Sequence, residues 1–306
     1  MKHDCTQIKK LPDSVMIFGC GYVGTALARA LQARGVCVGA LTRNSGKAEE
    51  LRSYGLSEVV EAELHNRHWH DQLQGRYSAV VNCVSSAGGG IEGYRKSYLQ
   101  GQRSILEWAK GMRLDSYLYT SSTSVYPQDG GVCVDENSST VAAPETGQVL
   151  LESECLLEQA AELFQHYYVF RLAGLYGPGR HYLLDQLRTG ESVIPGSGDY
   201  HLNLIHRDDV VSAIMLALSP DCRAASGVYN LADDNAATKK ELVHWLARRL
   251  GLNEPRFDPD ATSPRVRRRG GRMPDRIIEN HKAKEAFSWS PRYKEYREAY
   301  DVLLSD

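Results

Sequence analysis

The apolar run Val15-Met16-Ile17-Phe18 ends directly in Gly19-Cys20-Gly21-Tyr22-Val23-Gly24, and a helical spacing of apolar residues follows at Val23, Leu27, Ala30 and Leu31. A short apolar run bounded by glycine reads as a buried parallel strand. The 3-to-4 spacing reads as a helix, and Gly35 stands where its C-cap belongs. Strand, G-x-G-x-x-G turn and helix in that order constrain the fold more than anything else in the chain. Gly19 suits the tight turn, Gly21 lets the backbone approach a diphosphate, and Gly24 lets helix and strand pack closely. The helix N-terminus adds free N–H groups and partial positive charge. The pattern predicts a Rossmann-type unit that binds a nicotinamide dinucleotide; an incidental glycine turn is the alternative.

The alternation continues. Val36–Leu41 reads as a strand, Lys47–Tyr54 as a helix, Val59-Val60 as a third strand and Ala79–Val84 as a fourth. Arg95–Met112 reads as a long helix, Tyr117–Thr120 as a strand, Leu150–Phe164 as a helix and Tyr168–Leu172 as a strand. Strands alternating with helices predict an α/β fold, a doubly wound parallel sheet covered on both faces. Between Gly177 and Tyr200 turn residues multiply. A helix at Asp208–Leu218, a strand at Val228–Leu231, a helix at Lys239–Leu250 and a Pro, Arg and Gly-rich loop at Pro255–Arg272 follow.

Composition is that of a globular protein, with 42% hydrophobic and 24% charged residues. A net charge of −2 gives no electrostatic reason to expect nucleic acid or an anionic membrane as partner. No apolar stretch approaches the ~20 residues of a membrane span. Met1–Leu11 is polar and basic, without the apolar segment of a secretory signal, so a cytoplasmic location is expected. The seven cysteines form no CxxC pair and read as small core residues in a reducing compartment.

The second strand runs into Thr42, Arg43 and Asn44, with Ser45 and Lys47 just beyond. A site selective for NAD usually carries an acidic residue here, on the ribose 2′-hydroxyl. A guanidinium suits a 2′-phosphate instead. The expected cofactor is therefore NADP rather than NAD; a solvated Arg43 is the alternative. Glu63 and Leu64, after the third strand, fall where adenine would be contacted. Val84 and Ser85, after the fourth, fall beside the cofactor path.

Four further segments occur in order: Tyr119-Thr120-Ser121-Ser122-Thr123-Ser124-Val125-Tyr126, Arg171–Arg180 with its Tyr176-Gly177-Pro178-Gly179-Arg180, Ile205-His206-Arg207-Asp208-Asp209-Val210, and Gly227-Val228-Tyr229-Asn230. With the glycine turn they resemble, over nearly the whole chain, the extended short-chain dehydrogenases of the NAD-dependent epimerase/dehydratase family. The resemblance implies a Rossmann domain with a smaller C-terminal α/β substrate domain. It places the former at 12–172, with 203–231 returning to it, and the latter at 173–202 and 232–306.

The resemblance also implies a Ser or Thr on the substrate oxygen, whose equivalent is Ser122, and a YxxxK pair for proton transfer and ribose binding. The pair's positions fall on Thr146 and Leu150. A Thr hydroxyl is far too weak an acid to replace a phenol, and Leu cannot bond a ribose. The chain thus resembles the atypical branch of the family, in which the glycine motif is kept and the pair is lost. Tyr126 and Tyr176 are candidate substitute acids. Arg180, His181 and His206 are candidate substrate contacts, Arg180 for an anionic group.

Two clusters favour plainer readings. His65, His68 and His70 around Trp69 lack a second ligand group, so a surface helix or loop is expected rather than a metal site. Arg265, Arg267, Arg268, Arg269 and Arg272 read first as a solvated loop and second as a phosphate contact. Together these readings predict an NADP-dependent oxidoreductase or epimerase-like enzyme acting on a carbonyl or hydroxyl of a small molecule, with nucleotide sugars as the substrate by analogy. A catalytically impaired NADP-binding sensor or scaffold is the alternative. The partner expected is a small-molecule substrate; a homodimer is left open.

Overall fold

A computed structural model describes residues 10–86, 88–261 and 273–305. The arginine run from Arg265 to Arg272 and Cys5 lie outside the described residues. Seven strands form one parallel sheet: β1 (Ser14–Phe18), β2 (Cys37–Thr42), β3 (Glu58–Glu61), β4 (Ala79–Asn82), β5 (Leu114–Ser122), β7 (Phe164–Leu172) and β11 (Gly227–Leu231). Their order is β11-β7-β5-β4-β1-β2-β3, with every neighbouring pair parallel. The chain leaves β1 toward β2 on one side and returns through β4 on the other, so the strand order reverses between β1 and β4. In doubly wound sheets ligands bind beyond the strand C-termini at this switch point.

Side chains along each strand divide between two cores with period two. Val15, Ile17, Val38, Ala40, Val81 and Leu118 face one cluster, where α1 (Tyr22–Gln32) and α7 (Arg207–Ala217) pack. Met16, Phe18, Leu41, Val80, Tyr117 and Tyr119 face the other, covered by α4 (Gly101–Ala109) and the C-terminal part of α5 (Glu145–Gln159). Between β2 and β3 runs α2 (Ser45–Ser53), capped by Asn44, whose side chain accepts the Lys47 N–H.

A third cluster joins α6 (Tyr182–Arg188), α8 (Lys239–Arg249) and α10 (Tyr296–Leu303) through Leu184, Leu187, Leu242, Leu246, Tyr296 and Tyr300. Paired short strands stitch this lobe together and to the sheet. These are β8 (Gly174–Tyr176) with β10 (Leu204–His206), β9 (Val193–Pro195) with β12 (Arg256–Asp258), and β6 (Val132–Val134) with β13 (Arg276–Ile278). The segment that follows, with α9 (His281–Phe287), returns to the sheet, because Ile278, Ala283, Phe287 and Trp289 pack into the first cluster.

Several boundaries differ from the sequence reading. The helix expected from Arg95 begins earlier, as α3 (Gly90–Tyr94), and passes through a π-turn at Arg95–Gln100 before α4. The glycine run at Gly88–Gly90, all at positive φ, conceals that start. Pro144 sets the start of α5 at Glu145, since a proline fits the first turn but not the interior, and Phe164 belongs to β7 instead. Within the expected 255–272 loop lies β12.

The histidine cluster lies on a surface loop, with His68 exposed, while Trp69 among them is fully buried against Phe18 and Trp108. Among the described residues, only Cys20 and Cys83 are core cysteines; Cys37, Cys133 and Cys155 are exposed and Cys222 is half-buried. Among the described residues no helix is long and apolar enough to cross a membrane.

Candidate functional site

At the C-terminal ends of β1, β2, β3 and β4 opens a cleft of about 710 Å³. Gly19, Cys20 and Gly21 form its floor, Thr42 and Arg43 one wall, Glu63 and Leu64 the far end, and Val84 and Ser85 the opposite wall. The cofactor residues expected from separate stretches of sequence thus meet in one place. Tyr22, Val23 and Gly24, the rest of the motif, stand behind the floor on the first turn of α1, where Val23 and Gly24 are buried.

The three glycines have separate reasons. A Cβ on Gly19, at φ +88°, would lie 2.6 Å from the Val84 nitrogen, so the turn could not sit against the β4 exit. A Cβ on Gly24 would strike the Gly19 carbonyl. A Cβ on Gly21 would meet nothing within 4 Å. The space above Gly21 is open, at the N-terminus of an eleven-residue helix, which fits a dinucleotide diphosphate.

The β4 side of the remaining lining was not anticipated. Asn44 and Lys47 extend the β2 side, and Gly88, Gly89, Glu92, Gly93, Lys96 and Ser97 close the cleft from the β4 side. The glycine run after β4 carried a signal for them, since consecutive glycines mark close backbone approach. The Gly93, Lys96, Ser97 spacing then places three residues on one helix face. His65 also lines the cleft. Among the described residues, no three His, Cys, Asp or Glu side chains form a group able to hold a metal ion.

The proposed chemical residues are distributed unevenly. Ser122 ends β5, half-buried, with its Oγ accepting the Ser124 N–H at 3.1 Å. Thr146 is half-buried on α5, and Leu150, one turn further, is 2% exposed within the apolar cluster. A lysine at this position would carry its charge into hydrocarbon.

Tyr126 is not brought to the cleft. It is 1% exposed, and its Oη accepts from Arg171 at 2.9 Å and donates to Asn230 Oδ1 at 2.8 Å. Arg171 also grips Glu154, which accepts the Ser121 Oγ–H at 2.5 Å. This buried network ties β5, α5, β7 and β11 together.

Tyr176 is also buried, stacked on Tyr300 and edge-on to His206, and burial pushes its phenol far above the ordinary range. His206 caps α7, its Nδ1 accepting the Asp208 N–H at 3.2 Å, and burial pushes its pKa down to about 4. His181 Nε2 accepts the Gly179 N–H at 3.2 Å, and burial lowers its pKa as well. The Arg180 and Arg207 guanidiniums each lie 5.2 Å from the centre of the Tyr22 ring. Through Tyr22 the glycine turn therefore adjoins the Gly177–Arg180 turn of the C-terminal lobe.

Comparison with known proteins agrees with this arrangement. The sequence profile of the NAD dependent epimerase/dehydratase family matches residues 15–232. Protein YeeZ of Escherichia coli (strain K12) is 31% identical over 250 residues, 79% of this chain and 86% of YeeZ. A 3-diazoavenalumate denitrifying reductase of Streptomyces sp is 25% identical over 322 residues, 93% of this chain and 98% of the reductase.

Among solved structures, MoeE5 in complex with UDP-glucose and NAD superposes with a TM-score of 0.79 at 22% identity, over 95% of this chain and 97% of MoeE5. The UDP-glucose 4-epimerase of Thermotoga maritima, with UDP-glucose, gives 0.78 at 21% identity, over 95% and 99%. At these identities the structural likeness establishes the fold. The profile match across most of the chain, together with the identity to YeeZ, establishes the lineage: the chain belongs to the NAD dependent epimerase/dehydratase family.

Proposed function

We propose that this protein binds NADP in preference to NAD and acts as an oxidoreductase or epimerase-like enzyme on a carbonyl or hydroxyl of a small substrate. The observation that carries the reading is the cleft at the β1/β4 switch point, with Arg43 and Lys47 on its wall at the end of β2. Two cationic side chains at that position favour a 2′-phosphate, Lys47 also pairing with Glu50, and the 42–47 stretch itself carries no carboxylate to prefer a 2′-hydroxyl. A bound nicotinamide supplies or accepts the hydride.

The protein's part is to orient and polarise. The Gly19–Gly21 backbone and the α1 N-terminus hold the diphosphate, Glu63 and Leu64 line the adenine end, and Val84 and Ser85 flank the cofactor path. Ser122 donates to the substrate oxygen, and Arg180 and His181 contact the substrate from the C-terminal lobe. Tyr126 serves the strand-end network, and Tyr176 packs the lobe beneath the cleft. The resemblance to a reductase supports redox chemistry. The complexes of MoeE5 and the Thermotoga epimerase with UDP-glucose suggest nucleotide sugars as the first substrates to try.

A second reading is an NADP-binding sensor or scaffold, which the burial of Leu150 in place of a lysine favours. An NADPH-consumption screen over carbonyl compounds and nucleotide sugars, run with Ser122→Ala beside the unaltered chain, separates the two. The enzymatic reading expects turnover of at least one compound and a loss of roughly 100-fold in the variant. Binding of NADPH with no turnover of any compound would favour the sensor.

A further inference from the structure

The Leu150 side chain leaves the nicotinamide-side ribose of a bound dinucleotide without the amine that the family resemblance implies. A hold on that ribose has to come from another element. The helix after β4 offers one, because its hydrogen bonding changes to the π pattern over Arg95–Gln100. Such turns recur at functional sites, where they redirect a side chain. Ser97 in this turn lines the cleft; Tyr98 beside it is not among the lining residues and is bonded to α5 instead.

Tyr98 is held at three points. Its Oη accepts the Ser86 N–H at 3.1 Å, one residue beyond the cleft-lining Ser85. Its carbonyl accepts the Ser153 Oγ–H at 3.0 Å, from the turn of α5 that follows Leu150. Its ring packs against Tyr94, centroid to centroid 5.1 Å. The residue thus bridges the β4 exit and the stretch of α5 where the amine is missing. A phenol oxygen can both accept and donate. The accepting side is taken by Ser86, and the proton has no acceptor among the described residues. Burial pushes this phenol up to about 12, so the proton stays on it at neutral pH.

We propose that Tyr98 is a further cofactor-holding residue, whose hydroxyl donates to the nicotinamide-side ribose of the bound dinucleotide and so takes over a role that Leu150 cannot fill. This rests on the dinucleotide reading above. It uses a side chain from the π-turn rather than from the α5 positions where the family resemblance places the pair.

The test is Tyr98→Phe in the full chain, which keeps the ring and removes only the hydroxyl. Dissociation constants are measured for NADPH, for NADH and for adenosine 2′,5′-bisphosphate, a fragment that lacks the nicotinamide-side ribose. Both dinucleotides are expected to weaken by roughly 5- to 10-fold, the loss of one hydrogen bond, while the fragment binds unchanged. Unchanged dinucleotide binding would overturn the proposal. An equal loss for the fragment would also overturn it, since that result means the hydroxyl only supports the shape of the cleft. Unaltered protein that binds neither dinucleotide nor fragment would remove the underlying reading itself, which separates that failure from the other two.

Discussion

Arg171 Nη2 lies 2.6 Å from Glu154 Oε2, and Arg171 Nε is 3.2 Å from both carboxylate oxygens, with each side chain only 7% exposed. This is the most fully desolvated ion pair in the sheet, and it joins β7 to the helix that carries Leu150. Glu154 also takes the hydroxyl of Ser121, the residue before Ser122, so the pair fixes the end of β5 as well as its own two elements.

Removing one partner strands the other's charge and hydrogen bonds in a low-dielectric interior. Glu154→Leu or Arg171→Met alone is expected to cost about 3–5 kcal/mol, read by urea denaturation. The double variant, which removes both charges, is expected to lie closer to the unaltered protein than either single change. A double variant as damaged as the sum of the two singles would mean that the charges themselves stabilise the fold.

The glycine turn separates folding from binding. Gly24→Ala presses a methyl group against the Gly19 carbonyl and is expected to lower stability along with dinucleotide binding. Gly21→Ala, whose methyl meets no protein atom within 4 Å, is expected to leave the melting temperature nearly unchanged and still lose most dinucleotide affinity. Thermal melts paired with NADPH titrations of the two variants check this.

His206 gives the fold a pH signature. Its folded pKa of about 4 lies below the ordinary 6.5, mainly because the ring is desolvated. Between those values the unfolded chain binds the proton more readily, so this contribution is intact above pH 6.5 and is lost as pH falls toward 4. The size is on the order of 3 kcal/mol from a shift of that extent. Asp209 works in the opposite sense. Burial raises it to about 7, so its contribution weakens as pH rises from about 4 to 7.

The diagnostic is therefore a difference. His206→Asn keeps an oxygen to cap α7 and removes the titration. Relative to this variant, the unaltered protein is expected to lose stability on acidification from pH 6.5 to 4. Parallel stability curves for the two would contradict the assignment.

Much of the cleft was legible in the sequence because its determinants are local. Gly19, Gly21 and Gly24 sit within one turn, and Thr42, Arg43, Glu63, Leu64, Val84 and Ser85 each follow a strand whose apolar run announces it. The two-sided burial of β1 follows from its unbroken apolar run. Tyr126 illustrates what sequence does not carry. Its partners Arg171 and Asn230 are 45 and 104 positions away, and nothing local distinguishes a tyrosine buried in their network from one facing a ligand. The burial of Trp69 within the surface loop of histidines was not readable for a related reason, since a lone tryptophan there has no periodicity to mark it as core. The wall formed by Gly93, Lys96 and Ser97 went unread because the helix was expected to begin only at Arg95, with nothing to mark the face that meets the cleft.

The central claim is that the cleft holds a nicotinamide dinucleotide and that Arg43 selects its 2′-phosphate. The most direct measurement is a fluorescence titration with NADPH and with NADH, on the unaltered protein and on Arg43→Ala. NADPH is expected to bind more tightly than NADH, and the variant to lose roughly 10-fold or more for NADPH while NADH changes little. Equal affinity for the two, unchanged in the variant, would contradict the 2′-phosphate assignment, and binding of neither at sub-millimolar concentration would contradict the account as a whole.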